Sequence, residues 1–166
     1  APSGAGNVSG GLLIGAFLNS TNLVAAQSGV LTAFSGWIPT GTATWTTAGS
    51  MDVNGTKPVA YGSTDINALR FNTAGAFTVT LSGTHTISSG MLLVTPNVGA
   101  NSSNITGGVL RAAPGGEFTV AQFNTAGALE IASSIEDNTT ATAFTKTGPG
   151  LLILSGTNTY TGITRV

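Results

Sequence analysis

FNTAGAFTVTLSG (71–83) and FNTAGALEIASS (123–134) open on the same six residues, 52 positions apart. Each copy runs into an alternating strand. In the first, Phe77, Val79 and Leu81 point one way, and Thr78, Thr80 and Ser82 the other. In the second, Leu129 and Ile131 flank an outward Glu130. Side chains alternate across a strand, so each run has one apolar face to bury. A unit of strand and small turn that recurs along the chain buries that face by stacking on copies of itself.

The pattern extends in both directions. NVSGGLLIGA (7–16) resembles NITGGVLRAA (104–113) position by position. HTISSGMLLV (85–94) and SNITGGVLRA (103–112) share a second shape, in which a β-branched residue, a polar residue and a small turn precede an apolar strand. Between strands lie NTAG, SSG, PNVG, TGG, APGG and TGPG, all turn chemistry. Gly recurs every few residues and breaks any long helix. A sandwich or barrel prefers hairpin turns such as Asn-Gly, and only residues 54–55 supply one. Parallel coils in register favour Asn, Thr and Ser ladders, and those residues crowd the turns here. The preferred fold is an all-β parallel β-helix, a solenoid, of about seven or eight coils of roughly 20–24 residues. At about 4.8 Å per coil it stands about 35 Å tall. Residues 1–166 form one domain. Residues 1–65 are its less regular part, with a loop excursion, and 66–166 its repeat-like coils.

Composition narrows the function. Charged residues are 7% of the chain and the net charge is −1, so five basic side chains cannot neutralise a nucleic-acid backbone. With no cysteine there is no disulfide scaffold, thiolate metal site or Cys nucleophile. The longest apolar run, LLIGAFL (12–18), is too short for a membrane-spanning helix of about 20 residues, and no membrane insertion is expected. The opening APSG fits a mature N-terminus after signal removal and an internal cut equally well.

Residues 146–166, KTGPGLLILSGTNTYTGITRV, resemble the autotransporter-associated β-strand repeat, also called the passenger-associated transport repeat. That pattern is a basic residue, Gly-x-Gly-x-Leu-x-Leu-x-Gly, Asn-Thr-Tyr-Thr-Gly, then a β-branched strand. Lys146, Gly148, Gly150, Leu152, Leu154, Gly156, Asn158, Thr159, Tyr160, Thr161, Gly162, Thr164 and Val166 fit it. Residues 66–145 resemble the weaker flanking repeats of such proteins, most clearly at INALRFNTAG (66–75) and the TKTGPG lead-in (145–150), and residues 1–65 only loosely. The resemblance implies a right-handed parallel β-helix outside a bacterial cell, with no enzymatic activity.

Two departures from the pattern bear on function. Leu151 and Ile153 stand where the family has polar residues, on the side of the strand opposite Leu152 and Leu154. A strand apolar on both sides is normally covered on both sides. The cover is either a segment of this chain within residues 30–60 or another subunit; simple exposure is the third reading. The pattern also stops at Val166 with no polar cap. The chain is then either a piece of a longer repeat protein or a subunit whose end stacks on the next copy. Leu151, Ile153, Tyr160 and Val166 are the C-terminal contact candidates, and Val8, Leu12 and Leu13 the N-terminal ones. Head-to-tail stacking does not close, so it builds filaments.

Other chemistry is thin. The six acids are Asp52, Asp65, Glu117, Glu130, Glu136 and Asp137. Glycoside hydrolysis needs two positioned carboxylates, and only Glu117 and Glu130 offer a pairing, without a third supporting group. His85, the sole histidine, reads as an outward ladder residue, and Glu136 and Asp137 as a solvated turn that could at most hold Ca²⁺. No cofactor, metal or catalytic residue is assigned. Trp37 and Trp45 form either a plug over the coils or a flat platform for surface glycans. Asn7, Asn19, Asn54, Asn101, Asn104 and Asn138 head Asn-x-Ser/Thr triplets, which so Ser- and Thr-rich a chain produces by chance. The leading expectation is an extracellular structural protein joined to itself in a fibre or surface layer. The alternative is an adhesin-type passenger module that binds carbohydrate or a host surface.

Overall fold

The computed structural model describes residues 8–9, 12–27, 30–41, 45–56 and 61–166. The first four strands, β1 (Val8–Ser9), β2 (Leu12–Leu18), β3 (Asn22–Gln27) and β4 (Val30–Ala33), form an antiparallel meander. Every later strand pairing between named strands is parallel. The later strands are β5 (Trp37–Pro39), β6 (Ser50–Val53), β7 (Ile66–Phe71), β8 (Thr78–Thr80), β9 (Thr84–Val94), β10 (Ser103–Thr106), β11 (Val109–Ala112), β12 (Glu117–Gln122), β13 (Leu129–Ile131), β14 (Ser134–Ile135), β15 (Ala143–Thr147), β16 (Leu152–Leu154) and β17 (Thr164–Arg165).

These parallel strands are the coils of a β-solenoid with three faces. On the first, β8, β10, β13 and β16 stack in that order. Val79, Ile105, Ile131 and Leu154 make one inward column, in steps of 26, 26 and 23 residues. On the second, β9, β11 and β14 bring His85, Leu110 and Ile135 into register, all fully buried. The third runs from β5 to β17 and stacks Ile38, Met51, Leu69, Leu92 and Val120. The rings of Phe118 and Phe144 lie 6.1 Å apart inside the bore, and Phe144 and Tyr160 5.6 Å apart.

The expected fold class is the observed one, but the stack has about four turns, not seven or eight. On the first face two of the three coils take 26 residues, above the expected range because their corners consume residues, and the N-terminal meander contributes no coil. Four turns stand about 20 Å tall, and the third face, seven strands deep from β5 to β17, about 29 Å. The two FNTAGA copies lie two rungs apart, with the rung of Val94 between them. Their 52-residue spacing is therefore two coils.

The meander explains why β7 and the second half of β9 are buried on both sides. The outward residues Ala68, Met91, Leu93 and Ala121 pack under Leu12 and Leu23, with Phe17, Phe34, Trp37 and Phe123 at the margin. Arg70, also outward on β7, pins the junction. It donates to Asp52 Oδ1 (3.1 Å) and Oδ2 (2.6 Å) on the neighbouring rung, and to Asn22 Oδ1 (2.9 Å) in the meander. Its guanidinium lies 4.3 Å from the Trp37 ring centre. Such a fork needs a planar, bidentate donor, which Lys does not provide.

Candidate functional site

The rung built by residues 146–166 accounts for the spacing of its motif. A Cβ on Gly148, Gly150, Gly156 or Gly162 would run into the backbone carbonyl of Gln122, Asn124, Ser133 or Thr142 respectively. Those four carbonyls belong to the rung below. The motif glycines thus mark the corners where one coil rests on the next, closer than any side chain allows. Between them, Leu152 and Leu154 sit over Leu129 and Ile131 to continue the bore.

Polar side chains tie the rung down. Asn158 Oδ1 accepts from Ile135 N (2.9 Å), and its Nδ2 donates to Gly156 O (3.1 Å). Asp137 accepts from Thr142 N (2.7 Å), Thr161 N (3.0 Å) and Thr161 Oγ1 (2.6 Å). The Thr161 hydroxyl, and then the two backbone N–H groups, hold the Asp137 carboxyl below the usual carboxylate range. Tyr160 shares a 2.9 Å hydrogen bond with Thr164 Oγ1. Gln122, buried on the rung below, donates to both Gly127 O (3.1 Å) and Leu151 O (3.3 Å).

The far side of this rung is open. Among the described residues no strand pairs with β16 beyond β13, or with β17 beyond β15. Leu151 is 61% exposed, Ile153 41%, Ile163 61% and Val166 fully exposed. Ile153 continues a column that is Asn104 and then Glu130 on the rungs below, so the outer surface turns apolar at this end. A cavity of about 280 Å³, lined by Phe144, Lys146, Leu151, Leu152, Leu154 and Val166, forms the mouth of the bore. Leu151, Ile153, Tyr160 and Val166 are therefore together on one rung. Residues 30–41 and 45–56 belong to the meander and the first coils and leave Leu151 and Ile153 uncovered, contrary to the first of the sequence readings.

The N-terminal candidates lie elsewhere. Val8 pairs with Leu13 in the hairpin of β1 and β2. Leu12 is fully buried and Leu13 half-buried, on the flank of the solenoid. Val8–Ser9 and Leu12–Leu18 pair antiparallel and are not a first coil; Leu12 covers an outer face instead. The first parallel strand is β5, which ends in Pro39 and so lacks one ladder N–H. Trp45 is buried, stacked on Tyr61 at 4.7 Å and edge-on to His85 at 5.3 Å. Trp37 is half-buried beneath Arg70. The two rings share no exposed platform.

The other polar residues are similarly occupied. His85 is inward and fully buried, not outward, because Thr84 and Thr86 take the outer positions of β9. Burial raises the Tyr61 phenol above its ordinary value. Glu117 accepts from Thr145 and Arg165, Glu130 from Ser155, Glu136 from Arg111 and Asp65 from Thr86 N. Glu117 and Glu130 thus have separate partners. Among the described residues no group of three or more His, Cys, Asp or Glu could hold a metal ion. Among the described residues no helix is long and apolar enough to cross a membrane. Sequence reasoning missed Arg70 and Gln122, and read Asp137 as a solvated turn where it is the acceptor for Thr161. The signal for Arg70 was a lone charge inside the apolar strand INALRF; Gln122 had none.

Comparison with known proteins agrees with this geometry. Residues 144–166 match the passenger-associated-transport-repeat family. The adhesin BmaC autotransporter of Brucella suis biovar 1 (strain 1330) is 35% identical over 100 residues, covering 60% of this chain and 3% of the relative's length. No solved structure matches the chain. The chain is a parallel β-solenoid whose last rung, within residues 144–166, matches the passenger-associated transport repeat.

Proposed function

We propose that this chain is a non-enzymatic segment of an adhesin-type autotransporter passenger, held outside the bacterial cell. Its work is mechanical: a stiff stack that carries adhesive surface away from the membrane. The parallel coil stack that carries the matched repeat rung supports this most directly, since such stacking builds a stiff rod from backbone ladders. The likeness to an adhesin supports the adhesive role. An antibody raised against residues 61–166 should label intact bacteria that display the full-length protein, and those cells should lose host-cell attachment when the segment is deleted in frame. Labelling only after permeabilisation, or attachment unchanged by the deletion, would overturn the reading.

A second reading is self-association head-to-tail into a fibre or layer. It is favoured by the apolar surface of Leu151, Ile153, Ile163 and Val166 on the same open rung. Light scattering at rising concentration should then show open-ended growth, abolished by Ile153→Asp. A species of fixed size at every concentration rejects it. Pro39 on the first parallel strand weighs against direct strand-on-strand stacking at the other end.

A further inference from the structure

The opposite flank of the molecule carries a separate unpaired edge. Among the described residues β4 pairs with β3 and with nothing on its other side. Val30 is 60% and Leu31 63% exposed on it. Native edge strands are usually blunted by charge, proline or a bulge. This one has none of them: no residue from Ala1 to Met51 carries a charged side chain, and β4 reads VLTA.

The register of β4 shows which of its groups are free. Phe34 N donates to Leu23 O at 2.9 Å, and Thr32 faces Ala25. Backbone groups of an antiparallel strand point alternately to either side. Phe34, Thr32 and Val30 therefore turn their N–H and C=O toward β3, and Leu31 and Ala33 turn theirs outward. Two outward residues flanking one inward residue form a self-complementary edge. We propose that β4 pairs antiparallel with β4 of a second copy, about a two-fold axis through Thr32, joining two meanders into one eight-stranded sheet. Leu31 exchanges hydrogen bonds with Ala33 of the second copy. Thr32 faces Thr32 across the axis, and Val30 lies beside Phe34 of the second copy. The absence of charge removes like-charge repulsion between the copies and offers a charged partner nothing to select. The pairing is isologous and closes as a dimer, unlike head-to-tail growth. It stands whether or not the passenger reading does.

The chain has no cysteine, so a single introduced thiol can cross-link only to the same thiol of another copy. Facing residues at a non-hydrogen-bonded antiparallel pair have Cα atoms about 4.5 Å apart, within disulfide reach. Thr32→Cys should form a disulfide dimer on mild oxidation at least about tenfold faster than Thr73→Cys, an exposed turn control. Sedimentation velocity should show the cysteine-free chain in reversible monomer–dimer exchange. Ala33→Pro, which deletes an outward N–H and leaves the β3 ladder intact, should shift it to monomer with an unchanged circular-dichroism spectrum, while Ile153→Asp should not. Cross-linking at the control rate, or a dimer that survives Ala33→Pro, would overturn the proposal.

Discussion

Asp137 shows how much a single half-buried side chain does in a molecule so poor in charge. It accepts two hydrogen bonds from Thr161, in the repeat rung, and one from Thr142 in its own coil. Those donors hold its carboxyl below the usual range. A carboxyl depressed on folding adds stability above its unfolded value and loses it as pH falls through the folded one. The melting temperature of the native chain should therefore exceed that of Asp137→Ala by a constant margin above about pH 5, and the margin should shrink below about pH 4. A margin that grows on acidification would mean that Asp137 is not the ionised acceptor described. In the sequence this residue read as a solvated turn, since nothing local announces an acceptor whose donors lie up to 24 positions away.

The elements were legible where a local rule governed them and obscure where a neighbour did. Alternation in 78–82 and 129–131 gave the inward column of Val79 and Ile131 directly. The similarity of 7–16 to 104–113 misled, because one pattern serves two geometries. In 104–113, Gly107 (φ 69) and Gly108 (φ 54) turn a corner between β10 and β11, each flanked by rungs above and below. In 7–16 the apolar strand joins a hairpin instead. The repeat motif was recognisable as letters, yet the reason for its glycines is contact with the previous coil. Gly150→Ala should lower unfolding free energy by about 2–4 kcal/mol in denaturant melts, since the clash is with rigid backbone. Gly62, with nothing within 4 Å of its Cβ position, should accept Ala with less than about 0.5 kcal/mol of change. Equal tolerance at both sites would refute the seating of rung on rung.

At the scale of the whole molecule, cohesion is apolar burial and backbone ladders, not ion pairs. Three salt bridges are present among the described residues, and only Arg70–Asp52 is largely buried. Salt screens exposed pairs and spares buried ones. Raising NaCl from about 0.05 M to about 1 M should therefore move the melting temperature by no more than about 3 °C. A larger fall would assign the fold an electrostatic support that its composition does not suggest. The candidate rung was more legible than the flank. Its residues are contiguous in sequence, whereas the seat of the meander is assembled from Leu12, Leu23, Ala68, Met91, Leu93 and Ala121.

The columns of the three faces also set how the stack answers to tension. Each rung is gripped sideways by the one beneath it, so a pull applied through residues 150–166 loads a single seam. The structure would peel coil after coil instead of snapping at once, and every coil already peeled would lengthen the tether while those below kept their shape.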